Sequence, residues 1–190
     1  QQSILKGTKV TVTITLALCG IVGAILLANT YLAQIFTVDG VSMQNTRFTG
    51  DRMLINKIPV SLASTNSREY VPKRGDVVVA RAVFGSSALI SDDTSDIFII
   101  KRVIGLPGEH LVIKDGVITI YNNEHPKGFN PDKGSSWESK MVPNAKDEQL
   151  DLVLGSSELF LSGDNMPESI DSRFNGPIAT KEIIGKASVK

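Results

Sequence analysis

The chain has one cysteine and two histidines. One cysteine excludes an internal disulfide framework and a multi-cysteine zinc site. Two histidines leave little for a histidine-rich metal centre. Neither sign of charge is in excess, since 20 Lys plus Arg balance 20 Asp plus Glu. That balance argues against a protein that grips nucleic acid by bulk charge. Residues 1–38 carry only two charges, Lys6 and Lys9, and none lies between Val10 and Val38. The motifs G-x-x-x-x-G-K-[ST], G-x-S-x-G and H-E-x-x-H are all missing, and nothing calls for a cofactor or a metal. What remains is 190 residues at 42% hydrophobic and 21% charged. That is one folded domain, or one domain plus an appendage, and not a disordered tail.

The charge-free stretch reads as a membrane span. Val10 to Leu32 includes Ile14, Leu16, Leu18, Ile21, Val22, Ile25, Leu26 and Leu27. About 20 helical residues at about 1.5 Å each cross a hydrocarbon core of about 30 Å. Thr11, Thr13 and Thr15 can return their hydroxyls to the helix backbone. Cys19, mid-span, reads as packing. Lys6 and Lys9 before the span predict an N-terminus in the cytoplasm and residues after about 35 outside. A cleaved signal peptide shares this charge pattern but has a shorter apolar region, and a buried core helix is the third reading.

Beyond the span the periodicity becomes that of strands. Gln34–Val38 alternates, Asp39-Gly40 turns the chain, and Arg52–Ile58 and Asp76–Val83 are β-rich. Gly85–Ser87 and Ser91–Asp93 mark a loop. Ile97–Ile104 is a strand, and 111–113 with 117–121 form a hairpin over Asp115-Gly116. Residues 122–149 are a polar excursion rich in Asn, Lys, Pro and Gly, after which 159–161 and 183–184 return to strand.

Lys101 stands out. It sits among Ile97, Phe98, Ile99, Ile100, Val103 and Ile104. On an edge strand it would snorkel its ammonium to water. Desolvated, it would be neutral and could act as a general base. An unperturbed lysine is only about 0.04% neutral at pH 7, so the second role needs burial. A base needs a nucleophile, and Ser42 follows the Asp39-Gly40 turn just past the span. Other candidates are weaker. His110 reads as a surface residue, Arg74-Gly75-Asp76 as a turn, and Gly163-Asp164-Asn165 with Glu168 and Asp171 lacks EF-hand spacing.

Several blocks occur in a telling order. They are Ser42-Met43-Gln44-Asn45-Thr46 with Gly50-Asp51, Arg74 to Val79, Lys101 to Glu109, Gly163-Asp164-Asn165 with Ser169 and Asp171-Ser172-Arg173, and Ile183 to Ala187. In these blocks the chain resembles the bacterial type I signal peptidases (leader peptidases), a family of Ser-Lys proteases, over about residues 10–187. The resemblance implies a mostly β fold: a cytoplasmic stub and transmembrane anchor at 1–33, then an antiparallel β-sheet catalytic domain outside at 34–190. It implies Ser42 as nucleophile and Lys101 as general base. Ser169 would hydrogen-bond and orient the lysine, and an Asp171–Arg173 ion pair would brace the site. The Ser42 N–H would donate to the oxyanion. Gly40 stands where many members place a second, hydroxyl donor, and Asn45 stands where the family usually has Pro. Phe36, Val38, Met43 and Ile100 are the implied walls of shallow pockets for Ala-x-Ala. The implied partners are secretory preproteins and membrane lipid, with no nucleic acid, and the implied location is the bacterial cytoplasmic membrane. Three other readings use the same residues: a non-catalytic membrane-anchored binding or scaffold protein, a different Ser-Lys peptidase such as a self-cleaving repressor, and a mitochondrial inner-membrane relative.

Overall fold

The computed structural model describes residues 2–44, 46–82, 97–135, 137–138 and 149–188, with side chains from residue 11 onward. Asn45, the loop expected at 85–93 and residues 139–148 of the polar excursion lie outside the described residues.

Helix α1 runs Gln2–Tyr31. Its window Thr11–Tyr31 has a mean hydropathy of 2.3, and none of it is buried. Leu16 is 67% exposed and Leu26 62%. A core helix would bury that face, so this apolar cylinder is shaped for another solvent. Thr15 Oγ1 donates to Thr11 O at 3.0 Å and Thr30 Oγ1 to Leu26 O at 2.9 Å, so both hydroxyls return to the helix backbone.

Ten strands follow among the described residues: β1 (Ala33–Thr37), β2 (Arg52–Asn56), β3 (Val77–Arg81), β4 (Phe98–Gly105), β5 (His110–Lys114), β6 (Val117–Tyr121), β7 (Leu150–Val153), β8 (Glu158–Ser162), β9 (Ile178–Ala179) and β10 (Ile183–Ala187). Seven form a sheet in the order β1-β2-β10-β3-β4-β8-β9, and three form another in the order β6-β5-β7. The named pairings are all antiparallel. The β5–β6 turn places Asp115 at φ +50° and Gly116 at φ +77°, the handedness that a two-residue hairpin needs.

Strand β3 explains why the large sheet is stable. Val77 and Val79 point into one core with Val38, Met43, Met53 and Ile55, while Val78 and Ala80 point into another with Val103, Leu159 and Leu161. A strand buried on both faces reads as a continuous apolar run, which is what Val77–Ala80 is. A third core joins the two sheets, with Ile104 and Phe160 packed on Leu111, Ile113 and Ile118.

Two elements differ from expectation. The stretch 52–58 stays extended only to Asn56, whose Oδ1 accepts from Ile58 N at 3.0 Å and turns the chain. With Pro59 in its first turn, helix α2 (Ile58–Thr65) starts there. Strand β7, unexpected from sequence, follows the polar excursion and pairs with β5. Its residues Leu150 and Leu152 pack inward, half-buried, against the third core.

Candidate active site

Strand β4 brings the chemistry together. Its first half, Phe98–Lys101, pairs with β3 on one side, and β8 joins the other side only from Arg102 onward. Lys101 therefore lies where a sheet edge opens. Its side chain stands on the same face as Ile99 and Val103, and it is only 5% exposed. Nζ lies 2.6 Å from Ser42 Oγ, across 59 positions of sequence. The snorkelling alternative is thus not the observed conformation: the ammonium end reaches a serine and not water.

Burial pushes the Lys101 amine below the ordinary lysine value. Asp171 and Asp164 pull it back up and Arg173 pushes it further down, but desolvation is the largest influence.

The serine is held from behind. Asn165 N donates to Ser42 O at 2.9 Å, and Asn165 Nδ2 donates to Val41 O at 3.1 Å. Thr46 Oγ1 donates to Asp164 Oδ2. Asp164 is itself clamped by Arg102, with Nε to Oδ1 and Nη2 to Oδ2 both at 2.7 Å. Arg102 Nη1 donates to Gly75 O at 2.6 Å. Both side chains are buried, and the bond to Gly75 O gives the guanidinium a third partner besides the two carboxylate oxygens. The sequence offered Asp164 as a weak calcium candidate and as part of the Gly163-Asp164-Asn165 block, with no role of its own; its carboxylate serves an arginine and a threonine.

Asp171 and Arg173 form the expected ion pair, with Nε to Oδ1 at 2.8 Å, and both side chains are buried. Asp171 Oδ2 also accepts from Gly163 N at 3.0 Å and Ser162 Oγ at 3.2 Å. Arg173 Nη2 donates to Met166 O at 2.6 Å and Ser169 O at 3.1 Å. The pair ties down the loop 163–169, the same loop that holds Ser42.

The hydrogen bond expected from Ser169 to Lys101 is not formed. Ser169 Oγ is buried and has no hydrogen-bond partner among the described residues. It sits over Gly163, where a Cβ would fall 2.5 Å from Ser42 O and nearer still to Ser169 Oγ. Lys101 bonds Ser42, and the Ser169 hydroxyl sits in the gap that the bare glycine leaves.

Two clefts meet at the pair. One, of about 140 Å³, is lined by Phe36, Val38, Ser42, Met43, Ile100 and Lys101, so the four wall residues named from sequence share one pocket. The other, of about 350 Å³, is lined on its far side by Ile99, Leu161, Glu168, Ile170 and Ile178. Gly40 faces it at φ +93°, with no heavy atom within 4 Å of where a Cβ would stand. His110 lies elsewhere, on the small sheet, 2.7 Å from Asp151.

Fold and site together define a mostly β protein in which two clefts meet at a buried lysine and a serine. The chain belongs to the signal peptidase family, peptidase S26, whose model matches residues 10–190. It is 30% identical over 161 residues to signal peptidase I T of Bacillus subtilis (strain 168), covering 84% of this chain and 74% of that one. It is 32% identical over 158 residues to signal peptidase I V of the same organism, covering 80% and 82%. A crystal structure of a signal peptidase I from Enterococcus faecalis V583 aligns at TM-score 0.37 and 22% identity, over 62% of this chain and 97% of that one.

Proposed function

We propose that this protein is a membrane-anchored endopeptidase that removes signal peptides from secretory preproteins, with Ser42 as nucleophile and Lys101 as general base. The observation that carries the reading is the 2.6 Å contact between Ser42 Oγ and the Nζ of a lysine whose desolvation favours the neutral amine. The neutral amine takes the Ser42 proton as Oγ attacks the scissile carbonyl. The lysinium then gives that proton to the departing amine, which leaves an acyl-enzyme. A water repeats the cycle, losing its proton to Lys101 and releasing the signal peptide's new carboxyl end. The Ser42 N–H donates to the oxyanion, and Gly40 leaves that side open. Ser169 keeps a hydroxyl free beside the pair, suited to accept from the lysinium.

An extended substrate laid along the open edge of Phe98–Lys101 presents alternate side chains to one face. The smaller cleft then receives P1 and P3, and its size suits an alanine methyl. Residues 1–33 serve as stub and anchor and 34–190 as the peptidase domain. The positive charges at Lys6 and Lys9 put the N-terminus in the cytoplasm and the site outside, at the bacterial cytoplasmic membrane. The test is to incubate the purified protein with a preprotein and map the cut by mass spectrometry. Cleavage is expected after a small residue, and it should vanish in Ser42→Ala and in Lys101→Ala. Turnover by the Ser42→Ala protein would reject the assignment.

A further inference from the structure

The polar excursion 122–149 has no role in the chemistry above, yet one of its residues returns to the site. Trp137, the chain's sole tryptophan, lays its ring over the Arg102 guanidinium, 4.4 Å from ring centroid to Cζ. It can do so because position 75 is a glycine. A Cβ there would fall 3.0 Å from Trp137 Cη2 and 3.2 Å from Cζ2. The same Gly75 gives its carbonyl to Arg102. Asp132, from the same excursion, is buried nearby, and its Oδ1 has no hydrogen-bond partner among the described residues. Trp137, Gly75 and Arg102 also line one side of a further cleft together with Thr46.

We infer that Trp137 is a positioning residue for the reaction: it covers the Arg102–Asp164 pair through which the Ser42 loop is held. This rests on the proposed role of Ser42. The chain of contacts is short. Trp137 covers Arg102, Arg102 clamps Asp164, Asp164 accepts from Thr46, and Asn165 next to it donates to Ser42 O. An aromatic ring over an arginine attracts the cation through its quadrupole and keeps water from its face. Without it, water competes for the guanidinium, the clamp loosens, and Ser42 strays from Lys101. Misplacement of a nucleophile by about 1 Å is enough to cost about 10²-fold in rate. Binding of the substrate in the small cleft, built by β1 and β4, is not affected.

The test compares Trp137→Phe, Trp137→Leu and Trp137→Ala in the full chain in detergent micelles, on a peptide carrying an Ala-x-Ala site. Trp137→Leu and Trp137→Ala should lower kcat about 10-fold or more with KM changed less than about 2-fold. Trp137→Phe, which keeps a π face, should stay within about 3-fold of the parent. Wild-type emission should be shielded from acrylamide. Leu and Ala variants with parental kcat would overturn the inference. So would a Phe variant as impaired as Leu, since bulk and not the ring face would then matter, or free quenching of the native tryptophan. If the variants do not fold, the quenching result alone decides. Activity that survives Ser42→Ala would instead refute the underlying reading, and that outcome is read in a different protein.

Discussion

Lys101 and Arg102 are neighbours in sequence but send their side chains to opposite faces of β4, and each secures a different part of the Ser42 loop. Lys101 reaches the hydroxyl of Ser42 itself. Arg102 reaches Asp164, which accepts from Thr46 on the far side of the loop. The period of two in a strand produces this division. Shifting the β3–β4 register by one residue would exchange the two side chains and destroy both contacts.

The lowered Lys101 amine fixes the sign of the pH dependence. A base works only when neutral, so kcat/KM should rise with pH and level off below the ordinary lysine value of about 10.4. A steady-state profile from pH 6 to 11 checks this. A limb centred at the ordinary value would mean a solvated lysine and a different base.

Gly163→Ala should be severe for a residue with no side chain of its own. The new methyl would stand 2.5 Å from Ser42 O, which is backbone and cannot swing aside. Overpacking of this kind costs about 1–3 kcal/mol. Activity should fall about 10²-fold as the nucleophile is displaced. Thermal melts and peptide turnover, measured side by side, would show both losses.

Asp132→Asn should stabilise the protein at neutral pH. Burial, with Asp164 and Glu138 adding repulsion, raises this carboxyl from 3.8 to about 6, although the Trp137 N–H and the Arg102 charge oppose the rise. A folded state that holds its proton more tightly than the unfolded chain has that advantage in full below about 4, and loses it as pH rises through about 6. The variant should therefore gain on the order of 1 kcal/mol at pH 8 and nothing at pH 3.5. Denaturant midpoints at the two pH values give the comparison. Equal gains at both would place the effect elsewhere.

The small cleft beside Ser42 predicts sharp selection at P1. Its volume of about 140 Å³ is closed by the buried Val38 and Met43. Replacing Ala by Phe at P1 should reduce kcat/KM by more than about 10²-fold, since bulk and not lost affinity is the obstacle. Matched peptides assayed under single-turnover conditions would measure it, and similar rates for both would remove the pocket from the account.

Much of this was legible in the sequence, and the failures share a cause. Lys101 was conspicuous because a lysine in an apolar strand violates the local pattern, and the Asp115-Gly116 hairpin announced its own turn. The Arg102–Asp164 clamp was not visible: Arg102 breaks the apolar pattern of its strand as Lys101 does, but nothing in the sequence pairs it with an aspartate 62 positions away. Trp137 was lost in a polar stretch whose composition says only that it is polar. Helix α2 was missed because Ile58 and Val60 continue the apolar character of β2, and only the Asn56 turn separates them. Ser169 shows the opposite error. Its block was recognised, but the hydroxyl packs on Gly163 and does not bond the lysine.

Only Leu32 separates α1 from β1, and the joint is stitched shut: Lys57 N donates to Leu32 O at 2.9 Å and Ser61 Oγ to Tyr31 O at 2.8 Å. A flexible tether would let the domain swing through a hemisphere above the bilayer, with the active serine at any altitude. A welded joint removes that freedom. On the proposed anchoring, the tilt of the helix would become the tilt of the sheet, and Ser42 would keep a constant height above the bilayer. Enzyme and substrate would then search for one another in two dimensions, with diffusion along the lipid surface replacing reorientation as the motion that sets their encounter.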